Sequence, residues 1–169
     1  IPKGYIIEQT ANYSYVSTWN DPAENTTPFW SIENVMRRPN CFITPSMVPL
    51  ERDNYDISNL HSFFQMIQQD FHYLLWLHYR ALSKGFENNW GDLDLNTTMT
   101  MLQNVYKGKT DIMFSIFHKL LLFVMPVHQW VATPETGDML VTFAAPRRIA
   151  PYSPVHHFNI FELLEAEPP

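Results

Sequence analysis

Trp90-Gly91-Asp92-Leu93-Asp94-Leu95-Asn96-Thr97-Thr98-Met99-Thr100-Met101-Leu102 leads, two residues on, into Val105-Tyr106-Lys107-Gly108-Lys109-Thr110-Asp111-Ile112. A helix is expected to start at Asn96 or Thr97, with Met99, Leu102 and Tyr106 on one stripe. Gly108 is placed to end it, because glycine alone takes the left-handed C-cap geometry without a side-chain penalty. Asp111-Ile112-Met113-Phe114-Ser115-Ile116-Phe117 then reads as a buried strand.

The flanks extend the pattern. Upstream, Tyr73, Leu75, Leu77 and Tyr79 alternate with Leu74, Trp76 and His78, which fits a central strand apolar on both faces, followed by a polar loop from Ser83 to Asn89. Leu60, Phe63, Phe64, Ile67 and Phe71 keep helical spacing behind a cap at Asp56 or Ser58, with Gln65, Gln68 and Gln69 opposite. Cys41-Phe42-Ile43-Thr44, between Pro39 and Pro45, suits a short buried strand. A strand is also expected near Tyr13 to Trp19 and another over Met139 to Ala144, with Pro146 to Pro154 as an extended tail. Strand, helix, strand, helix, strand predicts an α/β layer with a largely parallel sheet.

Composition narrows the function classes. Apolar residues make up 46% of the 169 and aromatics 15%, ample for a core, while only 17% are charged. So little charge on so much apolar material implies surface that another segment or partner covers. The net charge of -6, with arginine pairs only at Arg37-Arg38 and Arg147-Arg148, gives no basic stripe for a phosphate backbone. One cysteine, Cys41, excludes an internal disulfide framework. Three glycosylation sequons begin at Asn12, Asn25 and Asn96, where composition alone would place roughly one or two, a lean towards the secretory pathway. The chain begins at Ile1 and carries no leader, so its N-terminus is expected upstream. Its longest apolar run, the eight residues Leu120 to Val127, is too short to span a bilayer. Membrane spans, if the protein has them, are expected outside this stretch.

The chemistry-bearing residues do not assemble an enzyme. His72 and His78 could share a strand face and His156 and His157 are adjacent, yet no cysteine or carboxylate completes a metal-ligand spacing. Asp92 and Asp94, two apart in a loop, read as a solvated turn cluster rather than an acid-base pair. Cys41 within an apolar strand reads as a small hydrophobe. Nucleophile elbow, phosphate loop and dinucleotide fingerprint are all absent. No cofactor, no metal and no catalytic residue is expected.

The quoted stretch resembles the ionotropic glutamate receptor family. There a tryptophan-glycine turn and an Asn-Gly-containing loop open a helix that ends in a Gly-x-Ala-Asp-Ile-type turn feeding a strand, and Lys107 to Ile112 keeps that ending. Tyr55-Asp56-Ile57 and the helix to Ile67 resemble the family's first lobe helix, and Cys41 to Thr44 sits where its opening strand would be. Tyr15-Val16-Ser17-Thr18-Trp19 is similar to the segment entering this domain in the arthropod ionotropic chemoreceptors. Asp138 to Arg148 is similar to the hinge strand and basic, proline-marked turn before the first membrane span.

The resemblance implies a periplasmic-binding-protein-like α/β lobe, incomplete without a second chain segment. Its implied layout is a connecting segment over 1–39, the first segment of a two-lobe ligand-binding domain over 40–155, and an approach to a membrane span over 156–169. It further implies a chemosensory cation-channel subunit on the extracellular side of the plasma membrane, with a small-molecule ligand and other receptor subunits as partners. Ser115, Phe117 and His118 fall at the family's first-segment ligand contacts. The family's amino-acid-binding members carry an Arg after this point that grips the ligand's carboxylate. Between Phe117 and Thr133 this chain has none, and Lys119 cannot supply a bidentate clamp. Glutamate is therefore not the expected ligand. A soluble two-lobe solute-binding protein is the alternative.

Overall fold

The structure, a computed structural model, describes residues 4–25, 29–38, 42–44, 46–47, 77–121 and 126–166. The chain divides into two compact units, Ile1–Ser83 and Lys84–Pro169. The division falls within helix α1, which is described over residues 77–88.

In the first unit, β1 (Ile6–Gln9) and β2 (Ser14–Ser17) form an antiparallel hairpin pairing Ile7 with Val16 and Glu8 with Tyr15. The turn closes through the Thr10 N–H donating to Tyr13 O at 2.8 Å, while the Thr10 hydroxyl accepts from the Tyr13 N–H at 3.1 Å. The hairpin inverts the usual pattern. Glu8 and Ser17 are buried, while Ile7 and Val16 are 63% and 55% exposed. Burial of a carboxylate is stable only where charge and hydrogen bonds answer it, and Arg38 supplies both. A 3-10 turn, Pro22–Asn25, starts with Asp21 accepting from the Ala23 N–H at 2.9 Å and buries Glu24.

Phe42, Ile43 and Thr44 form no strand, and Cys41 lies outside the described residues. The N–H groups of Ile43 and Thr44 donate instead to the two Glu8 carboxylate oxygens at 3.1 and 3.2 Å. A side chain thus takes the place of a ladder partner. The helix expected over Leu60 to Phe71 lies outside the described residues. Leu77 and Tyr79, read from the sequence as strand, are helical, as is most of the expected loop after Ser83. An apolar run this short gives no period by which to tell strand from helix; Leu77, Tyr79, Ala81, Leu82 and Ser83 are buried, with His78 and Arg80 half-buried between them.

In the second unit, α2 spans Leu95–Lys107. Asp94 caps it, accepting from the Thr97 N–H at 2.6 Å, and Gly108 ends it at φ 75°. Met99, Met101 and Val105 are its buried residues. The expected strand over Asp111 to Phe117 is instead helix α3, Ile112–Leu121. Asp111 decides this, because its Oδ1 accepts from the N–H groups of Met113 and Phe114 at 3.0 and 3.3 Å, an N-cap that satisfies donors a strand would need a neighbour to fill.

The sheet of this unit runs β3 (His128–Ala132), β4 (Asp138–Phe143), β5 (Val155–Asn159), antiparallel throughout. Between β4 and β5 the expected extended tail is broken by a turn at Ala145–Arg148, with Arg147 at φ 64°, and a 3-10 turn, Ala150–Tyr152. A short helix, α4 (Ile160–Glu165), follows, capped by Asn159. The protein is mixed α/β, but both described sheets are antiparallel rather than largely parallel. Two of the strands from which parallel crossovers were inferred are helical where they are described, so the βαβ units they implied are not formed.

Candidate binding surface

The two faces of the β3–β4–β5 sheet are treated differently. Pairing puts Gln129, Thr142 and Val155 in one row and Val131, Leu140 and His157 in the next, all on one face. That face meets α2 and the 150–152 turn. Gln129 Nε2 donates to Leu102 O at 3.3 Å, the Thr142 hydroxyl donates to Ala150 O, and Leu140 and Thr142 are buried.

The opposite face carries Trp130, Val141 and His156 in one row, Ala132, Met139 and Phe158 in the next, with Phe143 beside His128. Only Val141, on the central strand, is buried. Trp130 is 57% exposed, Phe143 53% and Phe158 37%. With aromatic side chains offering about 150–250 Å² each, these three alone leave on the order of 300 Å² of apolar surface open. That approaches the largest patch an ordinary monomer tolerates, and covering it is worth on the order of 7 kcal/mol by area. In α4, Phe161, Leu163 and Leu164 are exposed as well, Leu164 by 78%. Chemically this face can hold apolar or aromatic groups, with His128 and His156 at its margins as exchangeable donors or acceptors.

The residues singled out from the sequence fall elsewhere. Ser115 lies on α3, 4% exposed, and its side chain sits against Gly108. Phe117 and His118 follow on the same helix, and their side chains lie outside the described residues, as does His72. His157 Nε2 lies 3.1 Å from Asp138 Oδ1, on the opposite side of β5 from His156. Among the described residues no cluster of three or more His, Cys, Asp or Glu could hold a metal. Asp94 is accounted for by its capping bonds, and the Thr97 N–H and hydroxyl hold its pKa below the usual carboxylate value. Asn12, Asn25 and Asn96 are all exposed.

The Arg37-Arg38 pair, noted from the sequence only as too little for a basic stripe, has a buried Arg37 and a half-buried Arg38. Arg38 Nε donates to Glu8 Oε1 at 2.8 Å, Nη1 to Glu24 Oε2 at 3.0 Å, and Nη2 to Ser17 Oγ at 2.9 Å and to Glu24 Oε1. Burial works to lower the Arg38 pKa, but the bonds and charges of Glu24 and Glu8 carry it above its ordinary value. Arg37 stacks over Tyr79, 4.6 Å from the ring centroid, and donates to Ser83 Oγ at 2.6 Å and to Trp30 O. The adjacent pair Arg37-Arg38 is thus a double structural anchor within the first unit, one guanidinium satisfied by carboxylates and the other by aromatic faces.

No family model matches the chain, and no curated protein or solved structure shows significant similarity to it. Functional argument therefore rests on the uncovered sheet face and the quoted motif. Among the described residues, no helix is long and apolar enough to cross a membrane.

Proposed function

We propose that this chain is the first segment of a two-lobe, periplasmic-binding-protein-like ligand-binding domain. The parent is a ligand-gated cation-channel subunit of the ionotropic glutamate receptor class, working as an extracellular chemosensory receptor and gated by something other than glutamate. The observation that carries this reading is the open aromatic face formed by Trp130, Phe143 and Phe158. A sheet that buries one face on α2 and leaves rings on the other calls for further polypeptide to finish the lobe. Two features lend support. The tryptophan-glycine turn, capped helix and left-handed stop from Trp90 to Gly108 suit the resembled motif, although Asp111 opens helix α3 where that motif feeds a strand. The exposed Phe161, Leu163 and Leu164 of α4 also suit a segment approaching a membrane. In this mechanism, a small molecule favours the closed form of the two lobes, and closure pulls on linkers to the pore.

The test starts from the full transcript, which should continue into hydrophobic spans and a second binding segment. The two segments, joined and expressed together, should be stabilised by a member of a panel of amines, acids and small odorants in a thermal-shift screen. Tight glutamate binding, or a transcript with no membrane span, would sink the reading. Trp130→Ser separates the roles of this face: the single segment should keep its stability, while the joined domain should lose it.

A further inference from the structure

We propose that Asn12 and Asn96 are acceptors for N-linked glycans. The proposal rests on the extracellular reading above. Both residues open the triplet that the modification requires, Asn12-Tyr13-Ser14 and Asn96-Thr97-Thr98.

The two asparagines do no structural work. Asn12 is exposed at the tip of the β1–β2 turn, where only its backbone N–H is engaged, donating to the Thr10 hydroxyl at 3.4 Å. Asn96 is exposed in the first turn of α2. Neither side chain makes a hydrogen bond among the described residues. Asparagines that hold the fold behave differently. Asn20 accepts from the Thr18 hydroxyl, Asn89 donates to Gly85 O, and Asn159 caps α4 while donating to Thr136 O. None of these three opens a sequon. A sugar on any of them would displace a bond the fold uses, whereas one on Asn12 or Asn96 displaces only water.

In the transfer, Asn Nδ2 forms a bond to the anomeric carbon of a lipid-pyrophosphate-linked oligosaccharide. The bond from that carbon to the pyrophosphate oxygen breaks, Nδ2 gives up a proton, and the lipid pyrophosphate leaves.

The experiment translates the full chain, behind a cleavable secretion leader, into endoplasmic-reticulum microsomes and follows only the protease-protected product. Every version of the chain carries Asn25→Gln. Two glycosidase-sensitive mass steps are expected, one lost with Asn12→Gln, the other with Asn96→Gln, and both in the double variant. A protected chain with no step, or with a step that survives both substitutions, overturns the proposal; a single step overturns it for the silent site. Transfer acts on the nascent chain, so the outcome does not depend on folding of the variants. Ligand binding is a separate readout: a chain glycosylated at both sites that binds nothing leaves the acceptors standing and removes the receptor.

Discussion

Replacing Gly108 by alanine tests the joint on which the Trp90–Asp111 reading turns. Gly108 sits at φ 75°, a geometry that costs an L-residue about 1–2 kcal/mol. An added Cβ would also lie 2.5 Å from Ser115 Cβ and 2.7 Å from Ser115 Oγ. The hydroxyl can rotate away, but Cβ is fixed to the α3 backbone, and such overpacking costs roughly 1–3 kcal/mol. Gly108→Ala should therefore cost about 2–5 kcal/mol, with a melting temperature lower by roughly 5–15 °C. Ser115→Gly removes both clashing atoms at about 1 kcal/mol of helix propensity. In a double-mutant cycle read by urea denaturation at constant m-value, the two should couple favourably by about 1–3 kcal/mol. A loss near 1 kcal/mol with no coupling would refute the reasoning, since it would mean that α3 does not pack its Ser115 side against the end of α2.

Three further outcomes follow from buried or bonded charges. Arg38→Met strands the Glu8 and Glu24 carboxylates without their guanidinium and should cost about 3–5 kcal/mol in urea denaturation; Arg38→Lys should rescue little, because one ammonium cannot fork across both. Burial pushes the Tyr106 hydroxyl up to about 12, so its stabilising contribution is complete below the unfolded value of about 10 and is lost as pH rises through the folded one. Tyr106→Phe should flatten that alkaline limb, and the phenolate absorbance of the native protein should lack one early-titrating group. The bonds from Thr136 and Asn159, with His157 alongside, hold Asp138 below the ordinary carboxylate value. Its contribution is present above that ordinary value and lost as pH falls through the lowered one, so Asp138→Asn should shallow the acid limb of the stability curve.

How much of this was legible depended on whether the signal was local. Gly108 and the expected stripe of Met99, Leu102 and Tyr106 are short-range features, and the helix they mark was placed to within a residue or two, although its buried residues are Met99, Met101 and Val105 and its cap, Asp94, was read only as part of a turn cluster. Met139 to Ala144, expected as a strand, is one over Asp138–Phe143. Asp111 was a local signal too, but the run Ile112-Met113-Phe114 outweighed it; a capping aspartate before an apolar run favours helix, because the cap satisfies the first N–H groups at once. The parallel sheet failed for the same reason, having been built on the 73–79 and 111–117 readings. The Glu8–Arg38–Glu24 cluster was not legible at all, since its partners come from positions 14 and 30 residues apart. Only the fold brings them into one buried knot.

The open sheet face stands between these cases. Its β5 residues, Val155-His156-His157-Phe158, show no alternation and were not read as a strand, and nothing local says which parity is buried. Pairing settles it: His157 shares the side of Leu140, and His156 and Phe158 share the side of Trp130. The low charge of the whole chain had already implied a surface in need of cover, without giving its position. Its position matters more than its size. If the surplus apolar surface were spread singly over both units, it would carry no functional meaning. Gathered as Trp130, Phe143 and Phe158 on one side of one sheet, with α2 packed on the other, it marks where a second segment would dock in the proposed receptor. A partner segment, rather than a small ligand alone, is what that flat face fits, because a ligand pocket needs a concave wall. The ligand in the proposed receptor would then lie where that second segment meets this one.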